Sequence, residues 1–239
     1  MFFEEHAKLL SEFARVSQAA GARADYVQGG GGNTSVKLPG GLMAIKASGF
    51  CLSDIRPDKA YAVLDGADLR NFYLTTEPSA LADVEKEGSA RAKADIRHID
   101  GLADLRPSVE AGFHSILKTF VVHTHSVYAN LAACSTACRP IAAQAFAGAN
   151  YTWGWVPYTD PGANLTFAIR DELRRVEAET GKVPSVILMQ NHGIIVHDDD
   201  PDTALAIHTD ANERLARMFG LSGTSFPKIA VREMAAGIY

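Results

Sequence analysis

The sequence lacks the features of three large classes of protein. No apolar run approaches the roughly 20 residues that a membrane-spanning helix needs. Only 3 of the 239 residues are cysteine, an odd number that is too small for a disulfide framework in a chain of this size. Lysine and arginine number 23 against 28 acidic residues, and the net charge of −5 argues against a general nucleic-acid binder.

What the chain does contain is typical of a globular protein, with 47% hydrophobic and 21% charged residues. The segment Met1–His6 carries glutamates where a signal peptide would carry positive charge, so we expect a cytoplasmic protein with reduced thiols. No linker-like stretch divides the chain, which predicts a single domain over 1–239. The polar, Ala-rich segment at about 70–105 is expected to be a variable, solvated insertion with one or more helices.

Strand-like and helix-like segments alternate along the chain, which predicts an α/β fold with a central sheet covered by helices. Strands are predicted at 33–38, 42–46, 61–64, 120–125, 153–158 and 185–190, with 193–196 as a continuation or hairpin partner of the last. Helices are predicted at about 4–20, from near 108, after 125, at 161–180 and from 201 to before 220.

Two histidines two residues apart give the strongest local signal for chemistry. In the predicted strand 120–125, His123 and His125 project from one face about 7 Å apart, and two such imidazoles can converge on one metal ion. His192 precedes Gly193 at the end of an apolar strand, where α/β folds place reactive groups. Each has a plainer interpretation: a hydrogen-bonded polar edge for the pair, and a turn histidine for His192. Three histidines at strand ends favour a zinc site.

An acidic residue, Glu110, lies in the segment 106–114 ahead of these histidines. Ser108 fits an N-cap, which places Glu110 in the first turn of a helix, where the helix dipole favours a negative charge. Helix stabilisation alone can account for an acid there; a role at the metal is the alternative. His114 shares a helix face with Glu110 and is assigned a structural or ligand-supporting role, because three histidines and an acid already complete a metal site.

A glycine run, Gly29–Gly32, precedes Asn33-Thr34-Ser35 and offers unhindered backbone N–H groups beside short polar side chains. This combination fits a phosphate or another anion, although glycine runs are more often flexible turns. It matches neither the Walker A pattern nor the dinucleotide-binding glycine pattern. Lys46, Ser48 and Gly49 form a second small, partly cationic turn that can close on the same anion.

Taken in order, these residues resemble the class II aldolase/adducin superfamily. The pattern is Gly-Gly-Asn-Thr-Ser, then Ser48-Gly49, Pro107-Ser108-x-Glu110, His123-x-His125 and Asn191-His192-Gly193. The resemblance spans roughly Phe3 to Met218 and is greatest for the fuculose- and rhamnulose-1-phosphate aldolases. The segment between Gly49 and Glu110 looks most like the aldolase part of predicted bifunctional rhamnulose-phosphate aldolase/dehydrogenases, and we expect no dehydrogenase part here.

The resemblance implies a three-layer α/β/α sandwich around a mostly antiparallel sheet, and a homotetramer with sites between subunits. It implies that His123, His125 and His192 ligate Zn²⁺, and that Glu110 ligates the resting metal or acts as general acid/base. The residues that match the substrate phosphate site are Gly32, Asn33, Thr34, Ser48, Gly49 and Ser108, with Lys46 as a further candidate. Tyr239 is a candidate for the active site of a neighbouring subunit, because aromatic residues near the C-terminus of such proteins often enter a neighbour's site.

The implied reaction is retro-aldol cleavage of a ketose 1-phosphate or a related phosphorylated sugar. Zinc would stabilise the enediolate as a Lewis acid, and Glu110, with a pKa raised by burial, would move protons between the substrate carbon and its hydroxyl. Manganese, cobalt or iron are alternatives to zinc.

Enzymes of the same superfamily that catalyse other reactions share these metal ligands. They are epimerases of pentulose 5-phosphates, a dehydratase and sugar-acid phosphate decarboxylases; the epimerase-like members tend to carry Asp at the position of Glu110, which favours the aldolases. The adducin branch consists of binding modules that have lost the metal ligands. The metal ligands by themselves are also compatible with a zinc hydrolase, which would use a metal-bound hydroxide. No nucleic-acid or membrane partner is expected.

Overall fold

The structure is a computed structural model in which residues 1–221 are described, and the strands in this part of the chain form one sheet. The strands are β1 Asn33–Lys37, β2 Leu42–Lys46, β3 Tyr61–Asp65, β4 Ile96–Arg97, β5 Phe120–Thr124, β6 Trp153–Val156, β7 Val186–Met189 and β8 Gly193–Asp198. Their order across the sheet is β4-β3-β2-β1-β5-β8-β7-β6. Each neighbouring pair is antiparallel except β6 with β7, which confirms the expected mostly antiparallel sheet.

Helices cover both faces of this sheet. Those of the described residues are α1 Phe2–Glu5, α2 Ala7–Gly21, α3 Gly66–Thr75, α4 Val84–Ala94, α5 Ala111–Ile116, α6 Val127–Ala133, α7 Cys138–Ala145, α8 Ala163–Thr180 and α9 Pro201–Met218. In residues 1–221, no helix has the length and apolar character that crossing a membrane requires. The architecture is the α/β/α sandwich that the resemblance implies.

The alternation of side chains along β5 separates the two helix layers. Phe120 and Val122 face one layer, where they share a core with Leu10 of α2. Val121 faces the other layer and shares a second core with Phe167 of α8. Both faces of the strand are therefore buried, which explains why its apolar residues form a continuous run in the sequence.

The register of the central strands brings the candidate residues to one edge of the sheet. β1 and β5 are antiparallel, with Asn33 opposite His123. β8 is the hairpin partner of β7 rather than its continuation, so His192 lies in the turn between them. Because β5 also pairs with β8, with Thr124 opposite Ile194, the start of β1, the end of β5 and the β7–β8 turn are neighbours.

The segment at about 70–105 contains most of α3, all of α4 and the edge strand β4. The Glu85 carboxylate of α4 accepts hydrogen bonds from the backbone N–H groups of Ala163 and Asn164 at 2.9 and 2.8 Å. Glu85 therefore caps the N-terminus of α8. Gly88 of α4 approaches Ala163 so closely that a β-carbon would clash. The predicted helices are present; the packing on α8 is what the sequence does not show.

The helix predicted near Ser108 begins later, because α5 starts at Ala111 and Glu110 occupies its N-cap position. The Oγ of Ser108 accepts a hydrogen bond from the backbone N–H of Glu110 at 3.3 Å. Ser108 therefore stabilises the turn before the helix, and the prediction that Ser108 is the N-cap is wrong.

Candidate active site

Three histidines converge at the edge of the sheet. His123 lies on β5, His125 lies one residue beyond the end of that strand, and His192 lies in the β7–β8 turn. One ring nitrogen of each lies within 4.8 Å of those of the other two, and the ring centroids are 4.9 to 5.1 Å apart. The structure thus brings together the three side chains that the sequence singles out.

The protonation state of these rings fits a metal ion. Nδ1 of His123 donates to the backbone oxygen of Ile194 at 3.0 Å, so Nε2 carries the lone pair and faces Nε2 of His125 at 3.2 Å. Burial lowers the pKa of His123 to about 3 and also lowers the pKa of His125, which keeps both rings neutral. Converging lone pairs repel one another unless a cation lies between them, so this donor set fits a divalent metal.

Glu110 faces two of these histidines. Its Oε1 lies 3.0 Å from Nε2 of His192, and its Oε2 lies 3.7 Å from Nε2 of His123. Burial by itself raises the pKa of Glu110, but hydrogen bonds from His192 and the Asn33 amide favour the charged form and hold the pKa well below its ordinary value. The expectation that burial raises this pKa is therefore wrong, because the neighbouring donors outweigh desolvation.

A buried network holds the Glu110 carboxylate in place. Nδ2 of Asn33 donates to Oε2 of Glu110 at 2.6 Å and to Oγ of Ser108 at 3.1 Å. Oδ1 of Asn33 accepts from Nε2 of His114, whose Nδ1 lies 2.8 Å from Oγ of Ser35. Burial keeps the pKa of His114 well below its ordinary value, so the ring is a neutral link in this network. His114 lies behind the converging histidines and orients Asn33.

Two loops meet beside Glu110 and form a small polar surface, here named the cradle, which consists of Ser48, Gly49 and Ser108. The backbone N–H of Ser48 donates to the backbone oxygen of Arg106 at 2.9 Å, which ties the first loop to the second. Gly49 has a φ of +89°, and no heavy atom lies within 4 Å of the place where a β-carbon would be. The cradle is therefore open on this side.

Gly32 lies against the strand that carries the histidines. Its φ is +69°, and a β-carbon there would lie 2.6 Å from the backbone oxygen of His123. A β-carbon on Gly31 would lie 3.1 Å from Nδ1 of His125. The end of the glycine run is thus required for the close approach of this loop to β5.

Two residues that the sequence groups with the phosphate site point elsewhere. Oγ1 of Thr34 lies 2.6 Å from Oγ of Ser17, on the face of the sheet opposite to His114, because side chains alternate along β1. Lys46 is 4% exposed and donates to the backbone oxygen of Phe50 at 2.8 Å, and burial lowers its pKa. Tyr239 lies outside the described residues.

The sequence matches a known family over most of its length. The family model described as "Class II Aldolase and Adducin N-terminal domain" matches residues 11–219. The chain belongs to this family. The match covers the three histidines, Glu110 and the cradle, and it confirms the resemblance that the motifs indicate. No curated protein matches this chain.

Solved structures of class II aldolases share the fold of this chain. The N-terminal class II aldolase domain of a conserved protein from Thermoplasma acidophilum has a TM-score of 0.70 at 21% identity, covering 87% of this chain and 92% of that chain. An L-fuculose-1-phosphate aldolase from Thermus thermophilus has a TM-score of 0.53 at 15% identity, with 90% and 95% covered. A sugar-phosphate aldolase from Thermotoga maritima has a TM-score of 0.58 at 16% identity, with 90% and 96% covered.

Proposed function

We propose that this class II aldolase family member is a zinc-dependent lyase that cleaves a ketose 1-phosphate, or a related phosphorylated sugar, by a retro-aldol reaction. The observation that carries the proposal is the convergence of three imidazoles with the Glu110 carboxylate 3.0 Å from His192. A non-catalytic binding module of the adducin kind would not need this arrangement. The likeness of the fold to a fuculose-1-phosphate aldolase supports the same reaction class.

Three histidines suit zinc and leave positions of the ion open to a substrate. Bound there, the metal would supply Lewis acidity, which stabilises negative charge on the oxygens of a hydroxy-ketone. Imidazole donors also suit other divalent transition metals, so zinc is the part of the proposal that metal analysis of the purified protein tests.

Glu110 is the residue that we assign to proton transfer. Its lowered pKa keeps the carboxylate ionised at neutral pH, so it starts as a base. In a retro-aldol cleavage it would take the proton of the substrate hydroxyl as the carbon–carbon bond breaks, and it would later return a proton to carbon. The hydrogen bond from Asn33, 2.6 Å long, holds the carboxylate in one position for both transfers.

The substrate phosphate is proposed to lie in the cradle, with Gly32 and Asn33 at its border. Hydroxyl groups of Ser48 and Ser108 and the backbone N–H groups of the loops are suitable donors to phosphate oxygens. Asn33 bonds both Ser108 and Glu110, so the anchoring site and the proton-transferring group are joined through one side chain. A phosphate held here would fix the reacting carbons relative to Glu110.

We further propose that the protein acts as a cytoplasmic homotetramer in which a second copy covers part of this site. Val109, next to Glu110, is 72% exposed, and Leu131, in the groove that His125 lines, is 41% exposed. A second copy that covers these two side chains would remove their apolar surface from water. Light scattering after size exclusion should give four chain masses, and a monomer mass would contradict the proposal.

The experiment that tests the reaction is a screen of purified, zinc-loaded protein against ketose 1-phosphates and sugar-acid phosphates. Release of dihydroxyacetone phosphate supports the aldolase. An isomer, carbon dioxide or a dehydrated product would instead indicate an epimerase, decarboxylase or dehydratase of the same family. The Glu110→Gln variant loaded with the same metal is the matched control, and equal turnover by both proteins would overturn the role of Glu110.

A further inference from the structure

A phosphate in the cradle creates an electrostatic problem next to Glu110. A phosphomonoester carries close to two negative charges at neutral pH, and the Glu110 carboxylate is itself ionised. Within the cradle, hydroxyl and backbone N–H groups supply only partial positive charge, and the charge of the proposed zinc ion lies at the histidines rather than in the cradle. A cationic side chain beside the cradle would offset the repulsion. Two such side chains lie close to the cradle in the sequence, Lys46 at the end of β2 and Arg106 in the second loop.

Lys46 is committed to the protein interior. Its ammonium donates to the backbone oxygens of Phe50 at 2.8 Å, Gly30 at 3.3 Å and Ala47 at 3.5 Å. The side chain joins the glycine run to the loop that follows β2, and it does so from the buried side. Its contacts therefore explain Lys46 as a brace between two loops.

Arg106 lies on the open side of the cradle. Its Nη2 lies 3.3 Å from Oγ of Ser48, and its own backbone oxygen accepts from the Ser48 N–H at 2.9 Å. An antiparallel bridge between Ala47 and Pro107 keeps the two segments side by side. The side chain is exposed, and within residues 1–221 no aspartate or glutamate oxygen lies within 4.0 Å of its guanidinium nitrogens. The positive charge of Arg106 is thus uncompensated at the rim of the cradle.

We propose that Arg106 binds the phosphate of the substrate from the rim of the cradle and makes the site selective for a phosphomonoester over an uncharged sugar. The inference rests on the proposed function, because it takes the anion to be the substrate's phosphate. A guanidinium presents two parallel N–H groups that match two phosphate oxygens, which a lysine ammonium cannot do. The hydroxyl oxygen of Ser48 already accepts a hydrogen bond from Arg106, and its hydroxyl hydrogen then donates to the same ligand.

The test is calorimetric binding of dihydroxyacetone phosphate, dihydroxyacetone and inorganic phosphate to zinc-loaded wild-type, Arg106→Gln and Arg106→Lys proteins. We expect Arg106→Gln to lower the affinity for dihydroxyacetone phosphate and for inorganic phosphate by roughly 10- to 100-fold. The affinity for dihydroxyacetone should not change. The affinity of Arg106→Lys for these two probes should lie between those of the wild type and Arg106→Gln, since lysine keeps the charge and loses the paired donors. With a cleaved ketose 1-phosphate, the loss should appear in KM and leave kcat nearly unchanged.

The matched control is Arg174→Gln, which removes the same charge from a side chain 52% exposed on α8, at the end of the sheet that Lys37 and Thr119 occupy. Wild-type affinity of Arg106→Gln for both phosphate probes, or an equal loss in Arg174→Gln, would overturn the role of Arg106. The two proposals fail differently. A wild-type protein that binds inorganic phosphate through Arg106 but cleaves no phosphorylated sugar refutes the proposed reaction and keeps the anion site.

Discussion

The amide nitrogen of Asn33 lies 2.6 Å from Oε2 of Glu110, and this hydrogen bond joins the first residue of β1 to the N-cap residue of α5. The two side chains are nearly inaccessible, with Asn33 4% and Glu110 6% exposed. An ionised carboxylate that has lost its water needs such donors, because burying an unpaired charge is costly. The edge of the sheet and the helix that carries the acid are therefore held together beside the converging histidines.

Replacing Asn33 by alanine should slow the reaction without releasing the metal. The change removes a donor to a buried carboxylate, which both frees Glu110 to move and raises its pKa. Hydrogen bonds to charged groups contribute enough that we expect kcat to fall roughly 10- to 100-fold. Initial rates and metal content check this, with Asn71→Ala on the exposed side of α3 as control. A wild-type kcat in Asn33→Ala would show that the bond does not position Glu110.

Glutamine at position 110 keeps the shape of the side chain and removes its ability to accept a proton. We expect turnover to fall by about 10²- to 10⁴-fold, the usual contribution of a general base, while the three histidines keep the metal. Glu177→Gln, an exposed carboxylate on α8, is the matched control and should keep wild-type turnover. Steady-state rates together with elemental analysis separate the two effects. Loss of metal in Glu110→Gln would assign the carboxylate to the ligand set instead.

Removing one imidazole should release the metal. His192→Ala takes away one of three converging nitrogens, and even partners behind a ligand are worth roughly 10- to 100-fold in metal affinity. We therefore expect at least that loss of zinc affinity, measured by competition with a chromophoric chelator. His98→Ala is the control, because its side chain is 67% exposed beside Asp104, outside the converging set. Unchanged affinity in His192→Ala would remove His192 from the site.

Much of this site can be predicted from the sequence because strand geometry is regular. Residues at i and i+2 of a strand share a face, which places His123 near His125 and Asn33 near Ser35. The same rule puts Thr34 on the opposite face, where its hydroxyl bonds Ser17, so the sequence already contains the signal that separates Thr34 from the phosphate site.

The direction of long side chains and the contacts between distant helices have no such local signal. Lys46 is the last residue of a strand, and its flexible side chain can extend toward solvent or toward the interior. It extends toward the interior, where its ammonium donates to the backbone oxygen of Phe50. Glu85 caps α8 through Ala163, a residue 78 positions away in the chain. The lowered pKa of Glu110 likewise depends on hydrogen bonds from His192 and Asn33, which meet Glu110 only in the folded chain.

The buried ring of His208 on α9 should make the stability of the fold depend on pH. Its Nε2 lies 2.8 Å from Oγ1 of Thr124, the residue between two of the converging histidines. Burial lowers the pKa of His208 to about 3, against about 6.5 in an unfolded chain. The unfolded state therefore binds more protons below pH 6.5, and the free energy of unfolding falls as the pH drops from 6.5 toward 3. Between pH 6.5 and 5 this residue alone should account for a loss of about 2 kcal/mol.

Urea unfolding of the His208→Gln variant, in the presence of a chelator so that metal release does not contribute, isolates this effect. Glutamine places a hydrogen-bonding atom near the position of Nε2 and does not titrate, so Thr124 keeps a partner. We expect the free energy of unfolding of the variant to fall less than that of the wild type between pH 6.5 and 5, by about 2 kcal/mol. His98→Gln is the control, because its exposed ring has a pKa raised by the hydrogen bond to Asp104 and its removal should not lessen the loss. Parallel curves for wild type and His208→Gln would mean that the ring is not held neutral by the fold, since carboxylate titrations are common to both proteins and cancel in the difference.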